Sequence, residues 1–157
     1  MHQPYYRLGR GQPFTMPWAR MHALKDYLDM VEALKPFPSL HQTFNLVPSL
    51  VEQLGAYAQG DFTDVYWEHT LKPAEELTPA ERVFIVERMC ERTGHPRARA
   101  HPRYLELAHK REAQACHGWQ ACADSFTVSE LRDLQVWFNL AWFEPQALTQ
   151  GPLAGLA

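Results

Sequence analysis

The sequence predicts a mostly α-helical chain carrying one or two short parallel strands, and three observations predict it. Apolar residues recur at helical spacing over several long stretches. Two capping boxes announce helices in the second half, at Thr78 with Glu81 and at Thr127 with Glu130. Between residues 17 and 60 the pattern runs helix, strand, helix with tight connections, which is the rhythm of an α/β fold with parallel strands.

Taken in order, residues 7–14 form a polar loop with two glycines and a proline. A helix starts near Pro17, where Met21, Leu24, Leu28, Val31 and Leu34 give one apolar stripe. Pro36 and Pro38 end it, because a residue before proline is pushed out of helical geometry. The stretch LHQTFNLV, 40–47, places Leu40, Gln42, Phe44 and Leu46 on one side and His41, Thr43, Asn45 and Val47 on the other. Bounded by Pro38 and Pro48, it reads as a strand. Pro48 opens the next helix, with Leu50, Val51, Leu54, Tyr57 and Ala58 as its buried stripe and Gly60 as its end. A short helix is predicted over 64–71, then a helix from Thr78 with Gly94 placed to end it. Another is predicted over 101–115, and a last one from Thr127 to Pro145. On that last helix Leu131, Leu134, Trp137, Phe138, Ala141 and Trp142 form a wide apolar face. Residues 146–157 read as a loop or frayed tail. The tally is one strand, a stub of another at 2–6, and five or six helices. A sheet of one or two strands cannot stand as the centre of an α/β domain. Either the helices bundle together or the rest of the sheet lies outside the chain.

Composition bounds the function. The chain has 157 residues, 46% of them hydrophobic, enough for a real core. A net charge of -3 argues against non-specific binding to nucleic acid or to an anionic membrane. No apolar run approaches the roughly 20 residues needed to span a bilayer, and no secretory signal is legible. Cys90, Cys116 and Cys122 read as reduced thiols, which points to a cytoplasmic protein. Cys116, His117 and Cys122 fit no standard zinc spacing, so no metal and no cofactor is expected. Neither a phosphate-cradling glycine loop nor a serine nucleophile elbow is present. Asp26 and Asp29, three apart on the first helix, read as a solvated face rather than a catalytic pair.

Five blocks carry a family resemblance: HQPYY at 2–6, FTMPWARMHALKDYLDMVEAL at 14–34, HQTFNLVPSLVEQL at 41–54, KPAEELTPAER at 72–82 and LRDLQVWFNLAWFEP at 131–145. In this order and spacing the chain resembles the N-terminal part of glycoside hydrolase family 57, above all its large bacterial amylase- or mannosidase-like members. The resemblance implies a partial (β/α)7 barrel, with residues 1–145 as its incomplete first part. It implies a retaining hydrolase or glucanotransferase acting on α-glucan or oligosaccharide. Retention needs two carboxyl groups about 5–5.5 Å apart. In the family these are a Glu and an Asp on later strands, so no catalytic residue is expected before residue 157, and the chain alone is expected to be inactive. Family members place an apolar strand before the HQPY motif, and here only Met1 precedes it. Both ends therefore read as clipped.

Candidate substrate-binding residues follow from the same match. His2 and Gln3 lie in the family's first motif and would face the sugar site, since imidazole and amide both donate and accept. In the chain by itself the same residues read as a loose terminus. Trp18 could stack on a sugar ring and Arg20 could orient a carboxylate; a core Trp beside a surface Arg is the plainer reading. Asn45 could hold a sugar hydroxyl or cap the turn before Pro48. Trp137, Phe138, Trp142 and Phe143 read as core rather than as a sugar platform. A rival reading from another class is a non-catalytic helical module that binds glycan or a protein partner through the aromatic helix around Trp137.

Overall fold

A computed structural model describes residues 3–9, 11–60 and 63–143. His2 and the stretch 146–157 lie outside the described residues. The described chain is mostly helical, as expected, and divides into two compact units. One holds the described residues up to Trp67 together with those from Trp142; the other is Glu68–Ala141.

In the first unit, α1 (Trp18–Ala23) packs on α3 (Pro48–Gln59), and α2 (Asp26–Glu32) follows α1. Pro17 through Leu34 was expected to be one helix. It breaks at Lys25, whose backbone (φ -142, ψ -76) is not helical. α1 buries Ala19 and Met21, whereas α2 buries nothing, with Leu28 and Val31 exposed. The straight stripe thus has no covered surface to favour its continuity. α3 begins on Pro48 and ends on Gly60, whose φ of 73 is the left-handed closing conformation. Its buried face is only partly the predicted one. Leu50 and Gln53 are fully buried, while Val51 is exposed. A polar residue displaces the apolar stripe here because the backbone of residues 4–6 needs partners, as described below.

The predicted strand at 40–47 is not formed, nor is a stub at 3–6. A strand exists only by exchanging hydrogen bonds with a neighbour, and Leu40 and Leu46 stand 58% and 55% exposed. Among the described residues the sole β-pairing is an isolated parallel bridge between Phe14 and Asp64. There the Phe14 N–H donates to Thr63 O (2.9 Å) and the Val65 N–H donates to Phe14 O (3.0 Å).

The helix α4 (Val65–Leu71) crosses the boundary, and the second unit continues through a 3-10 turn (Ala74–Glu76), α5 (Pro79–Arg88), α6 (Pro96–Ala100), α7 (Pro102–Gln114), a 3-10 turn (Ala115–His117), α8 (Trp119–Asp124) and α9 (Val128–Leu140). α5 packs on α8 and α9, and α7 packs on α6 and α9. Ile85, Val86, Met89, Tyr104, Leu107, Phe126, Leu131 and Leu134 form the core, each at most 1% exposed. Both capping boxes are present. α5 stops at Arg88, earlier than Gly94, because side chains close its end. Tyr104 Oη donates to Met89 O (2.8 Å), and Arg111 donates to Val86 O and Glu87 O (3.0 and 3.3 Å). These contacts satisfy carbonyls that a longer helix would have used. On α9 the buried face holds Leu131, Leu134, Gln135, Phe138 and Asn139. Trp137 rotates off it and lies half-buried against His101, 4.8 Å between ring centres. Gln135 donates to His69 O and Lys72 O (2.6 and 2.8 Å), so two carbonyls are capped by one amide. No helix among the described residues is long and apolar enough to cross a membrane.

Candidate functional site

α3 carries Ser49, Gln53 and Tyr57 four residues apart, hence along one helical face. Ser49 and Gln53 hold residues 3–6, and Tyr57 holds Asp64. Ser49 Oγ donates to Gln3 O (3.2 Å). Gln53 Nε2 donates to Pro4 O (3.1 Å), and its Oε1 accepts from the Tyr6 N–H (3.2 Å). Gln53 is completely buried, and pairing its amide with two backbone groups removes the cost of that burial. Tyr5 Oη donates to Glu52 (2.7 Å), Tyr6 Oη donates to Gln3 Oε1 (2.7 Å), and Tyr6 O accepts from Thr15. Residues 3–6 are therefore pinned to the helix, contrary to the expectation of a loose end at Gln3.

Tyr57, at the far end of the same face, donates to Asp64 (3.0 Å). Asp64 is 0% exposed and receives three further donors: Arg20 Nε at 2.7 Å, Arg20 Nη2 at 3.3 Å and the Trp67 N–H at 2.7 Å. The last is a capping contact at the start of α4. The Arg20 guanidinium also lies 4.9 Å from the Trp67 ring centre. Burial, followed by the neighbouring Asp64 carboxylate, raises the Tyr57 pKa far above its usual range, so the phenol stays a donor. A carboxylate holding four donors has no lone pair left for proton transfer or attack. Asp64 is a structural anion that fixes Arg20.

Trp18 sits 5.8 Å from the buried Trp142, the two rings tilted at 45°, and His22 meets Trp142 edge-on at 5.4 Å. His22 Nδ1 also contacts Asp26. Trp18 is thus a half-buried member of an aromatic group. Asn45 is exposed in the stretch 41–47, which carries no regular secondary structure. Gln3 and Arg20 are tied to one helix through Ser49 and through Asp64 with Tyr57, and Trp18 shares α1 with Arg20. His2 falls outside the described residues.

Sequence reasoning missed Gln53, Tyr57 and Asp64 as polar keys. The period-four spacing of Ser49, Gln53 and Tyr57 was the available signal; Asp64, an Asp three residues before Trp67, was a second. The thiols offer no nucleophile at the buried positions. Burial pushes Cys90 up to about 12 and raises Cys122. Among the described residues no group of His, Cys, Asp and Glu could hold a metal ion.

The sequence model of the glycosyl hydrolase family 57 matches residues 1–149. No curated protein and no solved structure matches the chain. The family match covers both the α3-centred network of the first unit and the capped helices of the second, and the chain belongs to glycosyl hydrolase family 57.

Proposed function

We propose that this chain is the N-terminal segment of a retaining glycoside hydrolase or glucanotransferase that acts on α-glucans. The observation that carries the reading is the family match over residues 1–149. In this reading residues 1–145 are the first part of a partial (β/α)7 barrel. They contribute substrate-contacting groups, and the catalytic Glu and Asp lie beyond residue 157. His2, Gln3, Trp18, Arg20 and Asn45 are the groups that meet the sugar.

The geometry of the first unit supports a positioning role. Retaining chemistry needs one free carboxylate nucleophile and one acid/base about 5–5.5 Å away. Asp64 is fully hydrogen-bonded and serves neither purpose. What it does is hold Arg20 rigid, and rigid donors recognise hydroxyls at lower entropic cost. Gln3, held through its backbone by Ser49 and through its side chain by Tyr6, presents an amide in the same manner.

The test is incubation of the purified 157-residue chain with maltooligosaccharides, followed by chromatography of the products. The reading predicts no hydrolysis and no transfer. Release of shorter or longer oligosaccharides would overturn it.

A further inference from the structure

His22 stands one helical turn after Trp18 on α1, so the two side chains share a face. Both meet the buried Trp142, Trp18 at 5.8 Å and His22 edge-on at 5.4 Å between ring centres. The Tyr27 ring centre lies 6.0 Å from that of His22. These rings restrict how the imidazole can turn. Its Nδ1 contacts the Asp26 carboxylate, four residues on. A carboxylate accepts and cannot donate, so the proton is held at Nδ1 and the neutral imidazole keeps its lone pair at Nε2. Among the described residues Nε2 has no hydrogen-bond partner, and it is not shielded; the side chain is 33% exposed. One nitrogen is thus spent on orientation, and the other is an acceptor held in a set direction.

We propose that His22 is a further substrate-contacting residue of the site assigned above. Nε2 accepts a hydrogen bond from a hydroxyl of the sugar that stacks on Trp18, and Asp26 is the positioning residue that sets the tautomer. The spacing suits this role. Side chains one turn apart on a helix stand about 5–6 Å apart at Cβ, which is the scale of one pyranose ring. A sugar lying on the indole therefore brings a hydroxyl at its rim to the imidazole. An acceptor already fixed by Asp26 and Trp142 loses little freedom when the sugar binds. The inference rests on the glycoside hydrolase reading and adds to it a contact that the family match does not assign.

Titration of the 157-residue chain with maltotetraose tests it, read by calorimetry and by the imidazole nitrogen resonances. Two variants separate contact from packing. His22→Asn keeps an amide N–H at the place of Nδ1 for Asp26 and has nothing at the place of Nε2. His22→Gln carries its amide oxygen out to the place of Nε2. The wild type should show a saturable shift of the His22 Nε2 resonance. With one net hydrogen bond lost, Kd should rise about fivefold in His22→Asn and stay within about twofold of wild type in His22→Gln. An Nε2 resonance unmoved at saturation would overturn the proposal. So would an equal change in the two variants, or a wild-type chain that binds neither maltotetraose nor mannotetraose. Binding of mannotetraose in place of maltotetraose, with the same loss in His22→Asn, would uphold the His22 contact and overturn the α-glucan reading instead.

Discussion

Helix α9 of the second unit buries Leu131, Leu134, Gln135, Phe138 and Asn139, whereas α2 of the first unit buries no residue. The difference extends beyond these two helices. Most of the exposed large apolar side chains belong to the first unit: Tyr5, Leu8, Met16, Leu28, Val31, Phe37, Leu40, Leu46, Val51 and Trp67. In the second unit α5 and α9 start on capping boxes, α5 stops on side-chain donors, and the core between the helices is mainly apolar. The first unit is held instead by a few polar keys, Gln53 and Asp64 foremost. One half of the molecule is stabilised by area, and the other depends on individual hydrogen bonds. Loss of a single key should therefore cost the first unit more than loss of a single cap costs the second.

The sharpest way to break this comparison is Asp64→Ala. It leaves the Arg20 guanidinium and the Tyr57 hydroxyl without their carboxylate, and losing one partner of a buried ion pair costs about 3–5 kcal/mol. Hydrogen exchange should show α1 and α3 losing protection while α5, α7 and α9 keep theirs. Equal loss in all five helices would show that the units do not differ in this way.

A smaller effect is expected from acid. The Lys72 ammonium and the Thr78 N–H and hydroxyl pull the Glu81 carboxyl down to about 2 from an ordinary 4.5. In Glu130, burial acts in the opposite direction and is outweighed by Lys110 and Thr127. Because the folded pKa values are depressed, this stabilisation is present above about pH 4.5 and is lost as pH falls toward about 2. Denaturant melts between those limits should show the second unit weakening, and Glu81→Gln should flatten the trend. A slope unchanged by Glu81→Gln would place the acid sensitivity elsewhere.

The mildest change is Gly55→Ala. Gly55 lies within α3, and an added Cβ meets nothing within 4 Å. The substitution should stabilise the first unit by about 0.5–1 kcal/mol, seen as a higher urea midpoint. No shift, or a lower midpoint, would mean that α3 is strained in a way its contacts do not reveal.

What could be read from the residues alone follows the same division. Thr78 with Glu81 and Thr127 with Glu130 announce their helices locally, since a capping box needs only four consecutive residues. Pro102 and Gln114 likewise bound a helix lying within the predicted stretch 101–115. The first unit resisted because its decisive contacts are distant in sequence. Gln53 is buried for the sake of Pro4 and Tyr6, and Asp64 for Arg20, and the period-four spacing of Ser49, Gln53 and Tyr57 marks a face without naming its partners. The segment at 40–47 has the alternation of a strand but is not assigned as one, and alternation cannot report whether a neighbour exists to pair with it. Among the site residues, Arg20 was legible as a polar group on α1, but its tie to Asp64 was not.

The measurement that tests this account most directly is residue-resolved hydrogen exchange of the wild-type chain. Protection should be highest in α5, α7 and α9, intermediate in α1 and α3, and near the unprotected rate in α2. Protection in α2 equal to that in α9 would contradict it.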